Sequence, residues 1–313
     1  MDKDLDKIIR SDKNIYLYGA SGGGLRVLFN LLAMNVKKDR IFFIDSNPLK
    51  MGTTHGERPV LKDSEFHKLD KNSFILISST VYYEIEEFLR SKGFINFFYK
   101  KDLIFSEKIY EKFTKEFLSI LEIIKSRANL DFDELYTLYT SLKDTKDVEG
   151  SIAEVGTYRG GSAFLLSAFS YNKKVFLFDT YEGLPDSQRT IEGEPSQGWL
   201  SNTSIDYVKD FVLNSGIELS KLFLLKGLFP QSAENIKVSN FSLVHLDTDL
   251  YSSTFDSLKY FYPKLSKKGR IIIHDYNCFG CPGVKKAVKQ FILDTDSNVI
   301  NLEISESQLM IIK

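Results

Sequence analysis

The sequence predicts an α/β fold with two parallel sheets, one in each half of the chain. Two glycine turns, at residues 19–24 and 156–161, each follow a short apolar strand and precede a helix-like segment. About twenty residues after each turn, a second apolar strand ends in an aspartate, Asp45 or Asp179. Further on, strands continue to alternate with helices, which is typical of parallel sheets. These observations predict two Rossmann-like units.

The first unit is predicted to form a small, self-contained domain over residues 1–104. Its glycine turn and Asp45 have the arrangement of a nucleotide or nucleotide-sugar pocket. The competing interpretation is a docking or oligomerisation module without a ligand, because the polar stretch after Asp45 contains nothing that specifies chemistry. The predicted strands are Asn14–Tyr18, Arg40–Asp45, Ser73–Ser78 and Phe94–Tyr99, with helices at Leu25–Ala33 and Tyr82–Ser91.

Residues 105–145 are predicted to form a helical connector. Over Ser106–Arg127, apolar side chains recur at helical spacing, so one face must pack on an apolar surface. That face packs either on the second domain or on a second copy of the chain, and we expect a homo-oligomer. A further helix is predicted at Asp131–Leu142. The apolar positions are Ile109, Phe113, Phe117, Leu121 and Ile124.

Residues 146–313 are predicted to form the larger α/β domain. A polar loop at Gly183–Ser204, which contains the only tryptophan, Trp199, is longer than an ordinary connector. Such loops are commonly lids or substrate walls. The other predicted elements are strands at Ile152–Val155, Lys174–Asp179, Lys221–Gly227, Phe241–Asp247 and Arg270–Tyr276, helices from Ser162, at Ile205–Ser215, at Pro230–Ile236 and after Thr248, and a hairpin of Val299–Ile304 with Gln308–Ile312.

Acidic and histidine side chains end two consecutive strands of this domain, at Asp247, Asp249, His274 and Asp275. Because ligands of open α/β sheets lie beyond the carboxyl ends of the strands, we expect these residues to converge. Taken singly, each also fits a solvated loop residue, and Asp249 fits a cap for the helix that starts near Leu250. For His245, strand alternation favours a satisfied core histidine over a direct role.

The glycine turn at residues 156–161 predicts a ligand with an adenosine group. A turn before a helix exposes backbone N–H groups, and a carboxylate at the end of the next strand, here Asp179, accepts hydrogen bonds from ribose hydroxyls. By itself the pattern is weak, because the turn does not have the GxGxxG sequence.

Composition excludes several kinds of partner. With 41 Lys and Arg against 42 Asp and Glu, the chain has no basic excess for nucleic acid or an anionic membrane. No apolar run reaches about 18 residues, and the N-terminal charges do not fit a secretory signal. We expect a cytoplasmic protein with no membrane span and a small partner. The single CxxC, Cys278 and Cys281, is a weak indication of zinc, and we interpret it as structural or incidental.

Five ordered blocks resemble the macrocin O-methyltransferase family: EVGTYRGGS, FDTYEGLP, LVHLDTDLYSST, FYPKLSKKG and IIIHDYNCFGCPGVKKAV. The resemblance covers residues 113–313. It implies a class I methyltransferase sheet of Rossmann-like type that binds S-adenosylmethionine and a divalent metal and methylates a sugar hydroxyl. The first domain lies outside it and loosely resembles Rossmann-type domains attached to sugar-modifying and polysaccharide-biosynthesis enzymes.

The resemblance also implies which residues bind the cofactor. Asp179 corresponds to the ribose position, and Lys226 and Gly227 correspond to the adenine edge. The residues that the resemblance assigns to the methionine part are Glu154, Gly156, Tyr158, Gly160, Gly161 and Ser162.

For the metal, the resemblance implies Asp247, His274 and Asp275. The family pattern has an acid at the position of His274, so this chain departs from it. Magnesium prefers oxygen ligands, whereas imidazole suits manganese, iron or zinc. His274 is therefore a ligand to a softer ion, a base outside the ligand shell, or part of a site without metal. We predict a divalent ion, magnesium or manganese, with Asp247 and Asp275 as its firmest ligands.

The predicted chemistry is metal-assisted methyl transfer. Coordination lowers the pKa of a hydroxyl and fixes its direction, alignment with the methyl group supplies most of the catalysis, and Asp247 or His274 takes the proton. Two other classes stay open. One is an NAD-dependent sugar oxidoreductase or epimerase that uses the first domain, which the lack of a suitable Tyr-x-x-x-Lys pair argues against. The other is a non-catalytic nucleotide-sugar-binding or scaffold protein.

Overall fold

The structure is a computed structural model, and the chain divides into two compact units, Met1–Thr114 and Lys115–Lys313. The boundary falls inside the predicted connector at residues 105–145, and the described helices of that connector belong to the second unit. The residues that the structure describes are 8, 10–20, 24, 27–28, 31–32, 35–78, 82–99, 113–124, 127–214, 217, 219–278, 280–295, 300–303 and 307–313.

The first unit contains a parallel four-stranded sheet in the order β2-β1-β5-β6. Strands β1 and β5 are buried at every position because apolar clusters cover both faces of the sheet, as is usual for parallel sheets. The elements are β1 (Ile15–Tyr18), β2 (Ile41–Ile44), β3 (Thr54–His55), β4 (Arg58–Pro59), β5 (Phe74–Ile77), β6 (Phe97–Tyr99), α1 (Asp63–Phe66), α2 (Tyr82–Ser91) and a 3₁₀ turn at Lys38–Arg40.

The strands predicted for the first unit are therefore confirmed, each to within a few residues. Of the predicted glycine turn, residues 21–23 lie outside the described residues. The helix predicted at Leu25–Ala33 is described only at Val27, Leu28, Leu31 and Leu32, and all four are helical.

The second unit contains a seven-stranded sheet in the order β12-β13-β11-β10-β7-β8-β9. Strands β7 to β11 pair in parallel, and β13 pairs antiparallel with both β11 and β12. The strands are β7 (Ser151–Val155), β8 (Val175–Asp179), β9 (Leu222–Lys226), β10 (Phe241–Leu246), β11 (Leu265–Ile273), β12 (Ile300–Glu303) and β13 (Leu309–Ile312). The chain runs outward from β7 through β8 to β9 and then returns to β10 on the other side, so a topological switch point lies between β7 and β10.

Helices connect these strands. They are α3 (Lys115–Ile124), α4 (Phe132–Asp144), α5 (Gly161–Ala168), α6 (Ile205–Asn214), α7 (Tyr251–Phe261) and α8 (Pro282–Thr295), with 3₁₀ turns at Asp186–Gln188, Leu219–Lys221 and Gln231–Ala233. None of the described helices is long and apolar enough to cross a membrane.

Helix α3, at Lys115–Ile124, confirms only part of the long amphipathic helix predicted at Ser106–Arg127, because Phe113, Thr114 and Arg127 are described outside the helix. Its predicted apolar face is confirmed at Phe117, Leu121 and Ile124, which are buried. Phe117 packs on α4, with its ring centroid 5.3 Å from that of Tyr139. Residues 106–112, including Ile109, lie outside the described residues.

Of two other predictions about the second unit, one is wrong and one is confirmed. The helix predicted at Pro230–Ile236 is wrong, because only Gln231–Ala233 forms a 3₁₀ turn there. The C-terminal hairpin is confirmed, since β12 and β13 pair antiparallel, and β13 also extends the sheet beside β11.

Candidate active site

The ends of β7, β10 and β11 lie side by side at the switch point. The backbone N–H of Asp247 donates to the Val155 carbonyl at 2.9 Å, and that of His274 donates to the Leu246 carbonyl at 2.8 Å. The backbone hydrogen bonding between neighbouring strands thus extends to the residues that follow β10 and β11. The predicted convergence of the strand-end residues is present in the fold.

Three of the predicted residues form a tight cluster. His274 Nδ1 lies 2.8 Å from Asp247 Oδ1 and 3.3 Å from Asp275 Oδ2. One ligand atom from each residue lies within 4.8 Å of the other two. Adjacent ligands of a six-coordinate ion with bonds of about 2.1 Å are about 3 Å apart, so the donors fit such an ion. The mixed nitrogen and oxygen donors favour manganese over magnesium.

The cluster strongly favours a charged His274. Burial alone would lower the pKa of His274, but Asp275, Asp247 and Glu134 together raise it well above its ordinary value. Burial likewise opposes ionisation of Asp275, but the facing imidazolium lowers the pKa of this carboxyl to about 2. These groups form a buried, hydrogen-bonded ion network.

Glu134, on α4, is a member of this network that the sequence analysis missed. Its Oε2 lies 3.3 Å from His274 Nε2, and Ser307 donates a hydrogen bond to its Oε1. Burial raises the pKa of Glu134, but His274 outweighs burial and brings the pKa to about 2. The Asp131–Glu134 capping-box spacing identifies Glu134 only as the third residue of a helix.

A histidine that ligates a metal through one ring nitrogen usually donates a hydrogen bond from the other nitrogen, often to a carboxylate. Glu134 stands in that position relative to His274, whose Nδ1 faces the two aspartates. The arrangement therefore fits a ligand role for His274.

Asp249 does not cap α7, which corrects the expectation from the sequence. The residue before the helix is Leu250, and it makes no side-chain cap. Asp249 is instead 5% exposed and turns toward the cluster, and its Oδ1 lies 3.4 Å from Cys281 Sγ. Burial, followed by the charges of Asp275 and Asp247, raises the pKa of Asp249 well above its ordinary value.

The N-terminus of α7 is instead capped by Glu194 from the long loop. The buried Glu194 accepts hydrogen bonds from the backbone N–H groups of Tyr251 at 2.5 Å, Thr190 at 2.8 Å and Ile191 at 3.0 Å. The predicted lid segment is therefore fastened to the helix that follows Asp247.

Gly156 lies directly against the end of β10. A Cβ at this position would stand 1.8 Å from the Asp247 carbonyl oxygen, and its φ of 91° is in the region that favours glycine. Only glycine therefore allows β7 and β10 to leave the sheet this close together. The switch point and the acidic cluster share this contact.

Asp179 holds the turn that follows β7. Its Oδ2 accepts hydrogen bonds from the backbone N–H groups of Thr157 at 2.7 Å and Tyr158 at 2.8 Å, and its Oδ1 accepts one from Tyr181 at 2.6 Å. Tyr158 adopts a φ of 48°, and its hydroxyl donates to Asn202 Oδ1 at 2.6 Å. A role of Asp179 at a ribose stays a prediction, as does cofactor contact by Tyr158.

The other turn residues have visible packing roles. Gly160 precedes α5 with a φ of 85°, and a Cβ on Gly161 would meet the Ala128 backbone nitrogen at 2.3 Å. Ser162 is buried, and its hydroxyl partly offsets the rise that burial causes in the pKa of Glu154. At the end of β9, the exposed Lys226 pairs with Glu182 at 2.6 Å, and it is followed by Gly227 with a φ of 136°. Their contacts with a cofactor stay predictions.

Glu154 and His245 form a fully buried pair across β7 and β10. His245 Nδ1 lies 2.9 Å from Glu154 Oε1, which is consistent with the expected core histidine. Burial raises the pKa of Glu154 above its ordinary value, although His245 opposes the shift. Among the described residues, Glu154 Oε2 and His245 Nε2 have no hydrogen-bond partner. A bound polar group or water would satisfy them.

In the first unit, Asp45 plays a part similar to that of Asp179. Its Oδ2 accepts a hydrogen bond from the Ala20 N–H at 2.8 Å and pairs with Lys50 Nζ at 3.0 Å. The strand-end acid thus holds the start of the glycine turn. Whether this unit binds a nucleotide stays a prediction.

The second unit has the fold of class I S-adenosylmethionine-dependent O-methyltransferases. The solved structure of the O-methyltransferase NovP matches it with a TM-score of 0.55 at 22% identity, over 60% of this chain and 82% of that chain. The likeness establishes the fold of the parallel sheet with its switch point.

The chain belongs to the macrocin O-methyltransferase (TylF) family, whose model matches residues 132–305. The match covers more than half of the 313 residues and includes the whole acidic cluster together with Glu134. The resemblance of the five sequence blocks is therefore confirmed.

Curated relatives agree with this family. Demethyldecarbamoylnovobiocin O-methyltransferase from Streptomyces niveus is 26% identical over 46% of this chain and 59% of its own length. The 8-demethyl-8-(2,3-dimethoxy-α-L-rhamnosyl)-tetracenomycin-C 4′-O-methyltransferase from Streptomyces olivaceus is 28% identical over 47% of this chain and 59% of its own length. The chain thus spans about three fifths of the length of these relatives.

Proposed function

We propose that this protein is an S-adenosylmethionine-dependent O-methyltransferase that acts on a sugar hydroxyl. A divalent ion, manganese or magnesium, is held by Asp247, His274 and Asp275. The observation that carries the proposal is the convergence of these three side chains at the switch point beside Gly156. In open α/β sheets this crevice is where ligands bind.

The donor set supports the metal half of the proposal. Two carboxylates and one imidazole lie within ligand distance of a common point, and Glu134 supports the imidazole from behind. When bound, a divalent ion supplies a positive charge that lowers the pKa of a coordinated hydroxyl and fixes its direction. His274 gives up its Nδ1 proton when it becomes a ligand, and it keeps the Nε2–H toward Glu134.

Asp247 is the better candidate for accepting the proton of the substrate hydroxyl. Its side chain is 17% exposed, against 7% for His274. Of the two predicted catalytic residues, Asp247 is therefore the one that a substrate reaches more readily, whereas both nitrogens of His274 already face carboxylates. In this assignment His274 acts as a ligand.

The turn after β7 supports the cofactor half. Gly156 removes the side chain that would fill the space between β7 and β10, and the backbone from Thr157 to Gly161 leads into the N-terminus of α5. Asp179 holds this turn in place through two backbone hydrogen bonds. S-adenosylmethionine bound here supplies the activated methyl group, and the chain contributes alignment.

A sugar acceptor is inferred from the relatives. One of them is named as a 4′-O-methyltransferase of a rhamnosyl-tetracenomycin, and another as a mycinamicin III 3″-O-methyltransferase. We infer a small molecule or glycan as acceptor. The loop at residues 183–204, which Glu194 fastens to α7, is the segment that we expect to contact it.

Calorimetry with the full chain tests both halves of the site. S-adenosylmethionine is titrated with and without manganese or magnesium, and methyl transfer is then assayed with a radiolabelled methyl group on a panel of deoxysugar glycosides and nucleotide sugars. We expect cofactor binding, together with transfer that requires the ion. Failure to bind S-adenosylmethionine under any of these conditions would overturn the proposal.

A further inference from the structure

A second group of metal-competent side chains adjoins the cluster of Asp247, His274 and Asp275. Asp275, Cys278 and Cys281 each offer one ligand atom within 4.8 Å of the other two. Asp249 is a fourth neighbour, because its Oδ1 lies 3.4 Å from Cys281 Sγ. We call these four residues the thiol cluster.

The loop after β11 folds so that its two sulfurs return to the strand end. The N–H of Cys278 donates to the Asp275 carbonyl at 3.0 Å, and that of Cys281 donates to the Cys278 carbonyl at 3.2 Å. These successive turns bring both thiols against Asp275. The CxxC spacing, which alone is a weak indication of metal, thus meets two carboxylates from neighbouring strands.

The distances match those of a tetrahedral zinc site. With Zn–S bonds of about 2.3 Å and Zn–O bonds of about 2.0 Å, sulfur and oxygen ligands stand about 3.5 Å apart. Cys281 Sγ lies 3.4 Å from Asp249 Oδ1 and 3.6 Å from Asp275 Oδ2. The observed spacing therefore needs little adjustment to hold an ion.

Burial and charge also favour a cation here. Cys281 is 2% exposed and Asp249 is 5% exposed. Among the described residues, neither Asp249 nor Asp275 pairs with a lysine or arginine, and the charged partner of Asp275 is His274. Buried carboxylates need a compensating cation, a proton or several hydrogen-bond donors. The thiols beside them select a soft ion.

We propose that Cys278, Cys281, Asp249 and Asp275 form a second metal site, specific for Zn²⁺ or an ion of similar softness. Asp275 belongs to both sites, because its Oδ2 lies 3.3 Å from His274 Nδ1 as well as near Cys281. Zinc binding displaces to solvent the two thiol protons and the proton of Asp249 where that carboxyl is neutral, and no oxidant or reductant is needed. The site does not depend on methyl transfer, although an ion in it also fixes Asp275.

Cobalt titration tests this site with a readout of its own. The chain has only two cysteines, so any thiolate–cobalt charge-transfer absorption in the near ultraviolet must come from Cys278 and Cys281. The full chain is purified with reductant, stripped of metal and titrated with Co²⁺. We expect the band to saturate within two equivalents, one for each proposed metal site, and to disappear when Zn²⁺ is added.

Variants assign the band to the cluster. Cys278→Ser changes the less buried thiol and should weaken the band, while Cys281→Ser should abolish it. Asp247→Asn, which alters only the neighbouring site, should retain it. Circular dichroism checks that each variant is folded, and Cys278→Ser serves if Cys281→Ser does not fold.

Two outcomes would overturn the proposal. One is Co²⁺ binding by the wild-type chain without a thiolate band, which would limit the ions to nitrogen and oxygen ligands. The other is a mass 2 Da below the dithiol mass with no free thiol in the protein purified with reductant, which would make the CxxC a disulfide. Either result leaves S-adenosylmethionine calorimetry unaffected, so this failure is separable from failure of the proposed function.

Discussion

A β-carbon on Gly156 would lie 1.8 Å from the carbonyl oxygen of Asp247, so the cofactor turn and the acidic cluster meet at a contact that only glycine allows. Gly156 directly follows β7, and Asp247 directly follows β10 on the other side of the switch point. The distance between the two predicted half-sites is therefore set by backbone packing.

Gly156→Ala should separate these strand ends. The substitution combines a φ of 91° with a backbone clash. We expect a loss of roughly 1–3 kcal/mol from overpacking in addition to the strain of a left-handed residue, together with weakened S-adenosylmethionine binding. Urea unfolding and calorimetry measure the two effects.

Gly198→Ala is the matched control for this variant. Gly198 has a φ of 75°, and a Cβ there would meet nothing within 4 Å. The Gly198→Ala variant should lose only about 1 kcal/mol of stability, from conformational strain, and its affinity for the cofactor should not change. Equal losses in the two variants would contradict the role of the Gly156 contact.

Glu134→Gln should weaken metal binding without removing a ligand. Glu134 supports His274 from behind, at 3.3 Å from Nε2, and loss of such a carboxylate typically lowers metal affinity 10–100-fold. We expect a higher manganese requirement for methyl transfer and little change in the affinity for S-adenosylmethionine. Asp133→Asn, which removes a charge from the same turn of α4, is the control. Identical manganese dependence in wild type and Glu134→Gln would count against His274 as a ligand.

Glu154→Gln should change how stability depends on pH. Burial raises the pKa of Glu154 above 4.5, so the folded protein retains a proton that the unfolded chain loses as the pH rises past this value. The contribution of Glu154 to stability therefore falls as pH increases through this window. The glutamine variant lacks that slope, and its stability relative to wild type should rise as the pH increases above 4.5, as followed by urea unfolding.

The control for this series is Glu149→Gln, which removes the same charge from an exposed position. Its pH profile should run parallel to that of the wild type. A Glu154→Gln profile that also runs parallel would mean that the buried carboxyl does not take up a proton on folding.

Glu194→Ala should release the long loop from α7. It leaves three backbone N–H groups, those of Thr190, Ile191 and Tyr251, without their carboxylate. A loss of about 1–3 kcal/mol is expected, with faster proteolysis within residues 183–204. The neighbouring exposed Glu192→Ala is the control. Unchanged cleavage in Glu194→Ala would refute the anchoring role.

Strand-forming patterns made most of the fold predictable. Apolar runs such as those of β1, β5, β7 and β10 are buried at nearly every position, and such runs identify strands of a covered parallel sheet. The segment Pro230–Ile236 has no apolar periodicity, and in place of the predicted helix only Gln231–Ala233 forms a 3₁₀ turn. The C-terminal hairpin was predictable from its two β-rich segments. Its pairing with β11, through β13, is a tertiary contact that the local sequence does not indicate.

The candidate site was predictable where residues directly follow strands. Asp247, His274 and Asp275 meet because adjacent parallel strands end at one edge of the sheet. Glu134 lies on a helix and Glu194 in a loop, and both reach the same region of the molecule. Their distance along the sequence from the strands gives no indication of this proximity. Asp is common before helices, which predicts that Asp249 caps α7, whereas its φ of 58° turns it toward Cys281.

The most direct test of the central claim is a comparison of Asp275→Ala with the wild-type chain in two measurements on the same preparation. S-adenosylmethionine affinity is measured by calorimetry, and methyl transfer is measured across a manganese titration. We predict that the variant binds the cofactor within a few fold of wild type and transfers no methyl group at any manganese concentration. Full turnover by Asp275→Ala would contradict a metal-assisted mechanism at Asp247, His274 and Asp275.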